Sequence, residues 1–196
     1  IRFLTITVTA SRQGGIKIED VCRNETGFNG VTCSTGYFRK FLKNLPVDNL
    51  AYGGSTSRFL SPQSFLSFGE LKTYVQGHLA GNMTRVINSF VANNQAHDNA
   101  RTLFSVWVGG NDYLKWLEDP AYTKLLYKDQ EQGSDGNFEA ATEGVIVAIA
   151  KNLDTLYQAG ARNYFLPPLP DLSITPLCRQ KGTKFVAICG KLVGIH

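Results

Sequence analysis

Three glycine-bearing turns hold the short polar side chains of this chain that could do chemistry: Thr9-Ala10-Ser11-Arg12-Gln13-Gly14-Gly15, Gly53-Gly54-Ser55-Thr56-Ser57 and Gly109-Gly110-Asn111-Asp112. Glycine carries no Cβ, so its backbone N–H can approach a ligand closely. A loop of such N–H groups after a strand is one way to cradle a phosphate, and Thr9–Gly15 is the stretch that would do so here. On residue type alone the plainer readings come first. Ser11 is a turn serine, Gly54 a tight-turn glycine, and Asn111 and Asp112 cap a following helix. General-base candidates are sparse, because the histidines are only His78, His97 and His196. His78 and His97 fall in a long helical pattern and its exit, where exposed positions are expected. The cysteines fall into two equal intervals, Cys22 to Cys33 and Cys178 to Cys189. Two local disulfide loops fit this, each worth about 2.5–3 kcal/mol on the chain-entropy model. Four cysteines allow three connectivities, and spacing does not choose among them. A zinc site would prefer gaps of about two to four residues and supporting histidines.

The elements that would position these turns alternate in kind. Arg2–Thr9 alternates in the manner of a strand and is rich in β-branched residues. Thr35–Leu45 places Phe38, Phe41, Leu42 and Leu45 at helical spacing and is stopped by Pro46. Val47–Tyr52 is strand-like. Phe65–Val91 is helical, broken near Gly77–Gly81. Thr102–Val108 is a nearly continuous apolar run of the kind a central parallel strand shows. Residues 119–137 are polar and turn-rich, and a loop or insertion is expected there. Phe138–Ala159 is the clearest helix, with Asn137 placed to cap its start and Gly160 at its αL stop. A short strand, Tyr164–Leu166, leads into Pro167-Pro168-Leu169-Pro170, and Lys184–His196 starts another helix. Strand and helix in alternation predict a parallel sheet covered on both faces. In such sheets the chemistry sits at the carboxyl ends of the strands, near the point where strand order reverses. The three turns fall there.

Composition narrows the function classes. With 43% hydrophobic and 18% charged residues among 196, the chain can bury strands on both faces within one domain, 1–196. The net charge of +4 comes from scattered basic residues, such as Arg39, Lys40 and Lys43, then Arg179, Lys181, Lys184 and Lys191. They form no dense stripe with interleaved aromatics, which argues against nucleic acid as a partner. No apolar run reaches about 18 residues, so no transmembrane segment is expected. Paired cysteines, with the sequons Asn24-Glu25-Thr26 and Asn82-Met83-Thr84, point to a secreted, disulfide-bonded glycoprotein.

Asp48-Asn49-Leu50-Ala51-Tyr52-Gly53-Gly54-Ser55-Thr56 resembles the second conserved block of the SGNH/GDSL hydrolases, where a strand runs into a glycine pair. Leu103-Phe104-Ser105-Val106-Trp107-Val108-Gly109-Gly110-Asn111-Asp112 resembles their third block, a strand ending in Gly-x-Asn-Asp. Leu156–Asn163 with Leu166–Pro170 is similar to the family's helix, Gly-Ala-Arg turn and proline-rich loop. Phe28-Asn29-Gly30 is a weaker echo of an upstream Asn-Gly segment. Together these cover most of residues 27–176, in the family's order. The wording is most similar to the secreted lipase, acetylesterase and thermolabile-haemolysin branches.

The resemblance implies a three-layer α/β/α fold with a flavodoxin-like parallel sheet, and hydrolysis of lipid or other small-molecule carboxylic esters through a serine acyl-enzyme, without cofactor or metal. It implies that the Gly54 N–H and the Asn111 side-chain amide are oxyanion-hole donors, with Asp112 more a helix cap than a chemical group. The family's first block, Gly-Asp-Ser, has its counterpart at Ser11, the candidate nucleophile, but Thr9 and Ala10 replace the flanking Gly and Asp. Its fifth block, Asp-x-x-His, has none: Val193 stands three positions before His196. His196 better matches a structural histidine of the helix after the proline-rich loop. The expectation is therefore a domain lacking its last edge strand, closing helix and general base. Without an intact Ser–His pair, an oxyanion hole and binding alone leave about 10³–10⁴ over water. The alternatives are a catalytically inactive or truncated relative that binds an ester, and a phosphate- or flavin-binding flavodoxin-like module.

Overall fold

The computed structural model describes residues 2–7, 47–50, 55–57, 82–93 and 98–196. Ser11, Gly54, His78, His97, the Cys22 and Cys33 pair, and the helix expected at 35–45 lie outside the described residues. Of the helix expected from Phe65, only the part from Met83 is described.

Among the described residues four parallel strands form the sheet: β1 (Arg2–Thr7), β2 (Val47–Asn49), β3 (Thr102–Trp107) and β4 (Asn163–Phe165). Their order is β2-β1-β3-β4, with Phe3 beside Val47 on one side and beside Leu103 on the other. The protein is thus of the α/β class. The chain leaves β1 toward β2 and later crosses back to β3, so strand order reverses between β1 and β3. Ligands of open parallel sheets bind at the carboxyl ends of such a pair.

β3 is the apolar run read from the sequence, with Thr102, Phe104, Ser105 and Val106 buried. Phe104 and Val106 share one face and pack with Met83, Val86, Ile87 and Phe90 of α1 (Met83–Asn93). Leu156 of α4 (Gly136–Gln158) joins the same cluster. Phe90 meets Phe104 edge to face, at 5.7 Å between ring centroids. The crossovers into β3 and into β4 move in the same direction across the sheet. Right-handed connections then place both helices on one face, as found.

Among the described residues a second core is built mainly by helices: α2 (Gly110–Glu118), α3 (Pro120–Gln132), α4, α5 (Pro176–Gln180) and α6 (Thr183–Ile195), with Leu172 from the turn after β4. Tyr113, Leu117, Phe138, Phe185, Ile188 and Leu192 fill it, each fully buried. Helix α3 corrects the expectation of a loop over 119–137. Its stop signals are local: Asp119 caps the start by accepting from the Ala121 N–H at 2.8 Å, Pro120 occupies the first turn, and Gly133 ends it at φ 66°. The apolar pattern is thin because only Leu126 and Asp129 are buried.

Asn137 does not cap α4 as expected; it lies inside the helix. Its N–H and Nδ2 instead donate to Asp129 at 2.7 and 2.6 Å. Burial opposes the Asp129 charge, but these bonds and that from Ser134 outweigh it and hold the carboxyl below its ordinary range. The far end of α4 closes as the sequence indicates. Gly160 takes φ 98°, its N–H donates to Tyr157 O at 2.9 Å, and the Ala161 N–H reaches Leu156 O at 3.0 Å. Left-handed glycine at this position satisfies the last carbonyls of the helix.

Cys178 and Cys189 are bonded, one of the two local pairs that spacing allowed, and tie α5 to α6 across 11 positions. Replacing both by alanine should cost about 2.5–3 kcal/mol of unfolding free energy. A lowered denaturant midpoint is the expected reading; an unchanged midpoint would mean that loop closure contributes nothing here.

Candidate functional site

β3 ends at Trp107, and two residues later Gly109 starts α2 at φ 113°. A side chain there would be strained, and its Cβ would lie 3.4 Å from both His196 Cε1 and Val145 Cγ1. Glycine therefore lets the strand turn into a helix at once, which puts Asn111 and Asp112 in the first turn of α2, both buried.

Neither side chain caps its own helix, contrary to the plain reading of the sequence. The N-cap is Gly109, with no side-chain cap. Both reach instead to the segment that follows the glycine pair after β2. Asn111 Nδ2 donates to Ser55 O at 2.9 Å. Asp112 Oδ2 accepts the Ser57 N–H at 2.9 Å and Oδ1 accepts the Ser57 hydroxyl at 2.8 Å. A carboxylate near a helix N-terminus is also favoured by the helix dipole.

Residues 55–57 are held from two more directions. Thr56 O accepts the Met83 N–H at 2.9 Å, where α1 begins. Ser57 O accepts from Asn152 Nδ2 at 3.2 Å, and the same amide nitrogen contacts Thr84 Oγ1 and Ala148 O. Asn152 was missed in the sequence. The signal was present: Phe138, Val145 and Asn152 recur every seventh residue on the buried stripe of α4, so a polar side chain stands at a core position. A buried amide requires partners, and Ser57 is one of them.

The loop after β4 closes over the same turn. Trp107 Nε1 donates to Pro168 O at 3.2 Å, and Leu169 lies against Gly109 and Gly110. His196 completes this side. Its Nδ1 is 2.6 Å from the Tyr113 hydroxyl and the two rings meet edge to face at 5.5 Å. Burial first, then the Asp112 charge, push the Tyr113 hydroxyl above its ordinary range, whereas burial pushes the His196 imidazole below its own. Both groups are thereby favoured neutral. One turn beyond Asn111, burial lowers Lys115, partly offset by Asp112 and Glu118.

The structure thus brings two of the three glycine-bearing turns together, the second through residues 55–57 and the third through Asn111 and Asp112. Ser11 and Gly54 lie outside the described residues. Among the described residues no group of three His, Cys, Asp or Glu side chains is arranged to hold a metal, and no helix is long and apolar enough to cross a membrane. A separate cavity of about 210 Å³ lies among α2, α3 and α4. Trp116 and Tyr122, stacked at 6.0 Å, wall it, and Ala140 and Ala141 line it. No family model and no curated protein matches the chain.

His196 makes the turn sensitive to pH. Its imidazole titrates lower folded than unfolded, so the unfolded chain binds more protons between the two values and stability rises with pH there. This contribution is complete above the unfolded value of about 6.5 and is lost as pH falls through the folded one. An NMR titration of the ring protons should give a midpoint below about 6.5. A midpoint at or above it would contradict burial of the ring against Gly109.

Proposed function

We propose that this chain is an ester hydrolase of the SGNH/GDSL type, acting on lipid or other small carboxylic esters through a serine acyl-enzyme. The observation that carries the reading is the bond from Asn111 Nδ2 to Ser55 O, because it sets a side-chain amide donor beside the segment that begins with the glycine pair. Attack on an ester carbonyl builds negative charge on its oxygen, and donors already aimed at that oxygen supply much of the rate enhancement. An amide nitrogen carries two hydrogens. One Asn111 hydrogen is used on Ser55, and the second is the donor this reading assigns to the substrate oxygen. The Gly54 N–H is the second donor and Ser11 the nucleophile. The strand order β2-β1-β3-β4 supports the finer assignment to a three-layer, flavodoxin-like fold, since it matches the first four strands of that arrangement. The disulfide supports secretion.

A second reading is a protein that binds an ester without turning it over. The observation favouring it is that His196, the one histidine among the described residues, packs beside Gly109 and has a tyrosine hydroxyl, not a carboxylate, on its Nδ1. Hydrolysis of a short p-nitrophenyl ester by the full chain decides between them. Turnover should vanish in Ser11→Ala and fall by about 10²–10³ in Asn111→Ala. No turnover above buffer, with a non-hydrolysable ester analogue still raising Tm, would replace the first reading by the second.

A further inference from the structure

We propose that Asp112 is the positioning residue of this site, and that it acts by gripping Ser57 so that Ser55 O holds the Asn111 amide in aim. The inference rests on the ester-hydrolase reading for its kinetic consequence, though not for its geometry. Asn111 and Asp112 are consecutive, and the residues they hold, 55 and 57, are two apart. With a single hydrogen bond to α2 the segment could still turn relative to that helix. Three bonds at two points remove that freedom.

A carboxylate suits the second point in either orientation of its two oxygens. Ser57 presents two donors, its N–H and its hydroxyl, to the two oxygens of Asp112. An amide would offer one oxygen and one NH₂. The Ser57 hydroxyl can turn to accept, but the backbone N–H cannot, so the pairing would survive only in one orientation. Ser57 and Asp112 are both fully buried, so water does not stand in for a lost partner. Asp112 bonds to Ser57, two residues beyond Ser55, so in this proposal its action passes through Ser55 O to Asn111. Asn152 and the Met83 N–H hold the same segment through Ser57 O and Thr56 O and tie it to α4 and α1, while Asp112 ties it to α2.

The donor bond to an oxyanion is made only in the transition state. Loss of aim should therefore lower kcat and leave KM little changed. The test compares Asp112→Ala, Ser57→Ala, Asn111→Ala and the double variant Asn111→Ala/Asp112→Ala in the full chain, assayed on a p-nitrophenyl ester well below each Tm. We expect Asp112→Ala to lower kcat by about 10–100-fold, with Ser57→Ala smaller in the same direction. In the Asn111→Ala background the further loss from Asp112→Ala should shrink to about twofold or less, because residues that act through one another are not additive. Equal losses in both backgrounds, or a change in KM alone, would overturn the inference. Should Asp112→Ala fail to fold, Ser57→Ala and its double variant with Asn111→Ala carry the same comparison. Should the parent show no turnover, the ester-hydrolase reading fails by itself. The positioning is then read from the Asn111 side-chain NH₂ signals, expected to shift and exchange faster in Ser57→Ala. Unchanged signals would overturn it.

Discussion

A carboxylate removed from water must find its donors in the protein, and Asp112 finds them in a serine 55 positions earlier in the chain. That requirement organises the molecule around the end of β3. To reach Ser57, Asp112 must stand in the first turn of a helix that begins as soon as the strand stops. This in turn needs the left-handed conformation of Gly109. The same turn needs space, and the side chains beside it, Val145, Leu169 and His196, arrive from α4, the loop after β4 and the end of α6. Three elements distant in sequence are therefore packed against a single glycine.

The two cores divide the labour. The cluster of Phe104, Val106, Phe90 and Leu156 fixes α1 and α4 on the sheet. The mainly helical cluster around Tyr113, Phe138 and Phe185 fixes α2 relative to α3 and α6. Residues 55–57 lie where α1, α2 and α4 converge, because Met83, Asp112 and Asn152 each donate to or accept from them. Shifts of one core against the other would be felt first in these buried hydrogen bonds, which act over tenths of an ångström and find no water to replace them.

Polar groups inside the helical layer follow the same rule of satisfaction. Asp129 is buried yet charged because Asn137 and Ser134 donate to it. Tyr113 is buried and His196 half-buried, and both are favoured neutral, sharing one short hydrogen bond. Each pairing joins two elements: α3 to the start of α4, and α2 to the end of α6. The disulfide between α5 and α6 secures the segment from which His196 reaches back to Gly109.

Much of this architecture was legible in the sequence, for local reasons. The continuous apolar run of β3, the amphipathic stripe of α4, the left-handed Gly160 and the equal cysteine interval are written in neighbouring residues, where hydrophobic period and backbone conformation are determined by residue type. The glycine-bearing turn after β3 was recognisable for the same reason. What failed was whatever depends on a partner far along the chain. Helix α3 buries so narrow a stripe that its period hardly shows, and only packing against α2 and α4 reveals its inner face. Asp112 and Asn137 were read as caps, as was Asn111 on residue type alone, because short polar side chains at a helix start usually bond locally. Each bonds elsewhere, to Ser55, Ser57 and Asp129. Sequence determined which residues have hydrogen-bonding capacity and which turns expose them. Tertiary structure alone decided where that capacity is used, because a buried donor or acceptor pairs with whatever group the packing of distant elements brings within about 3 Å.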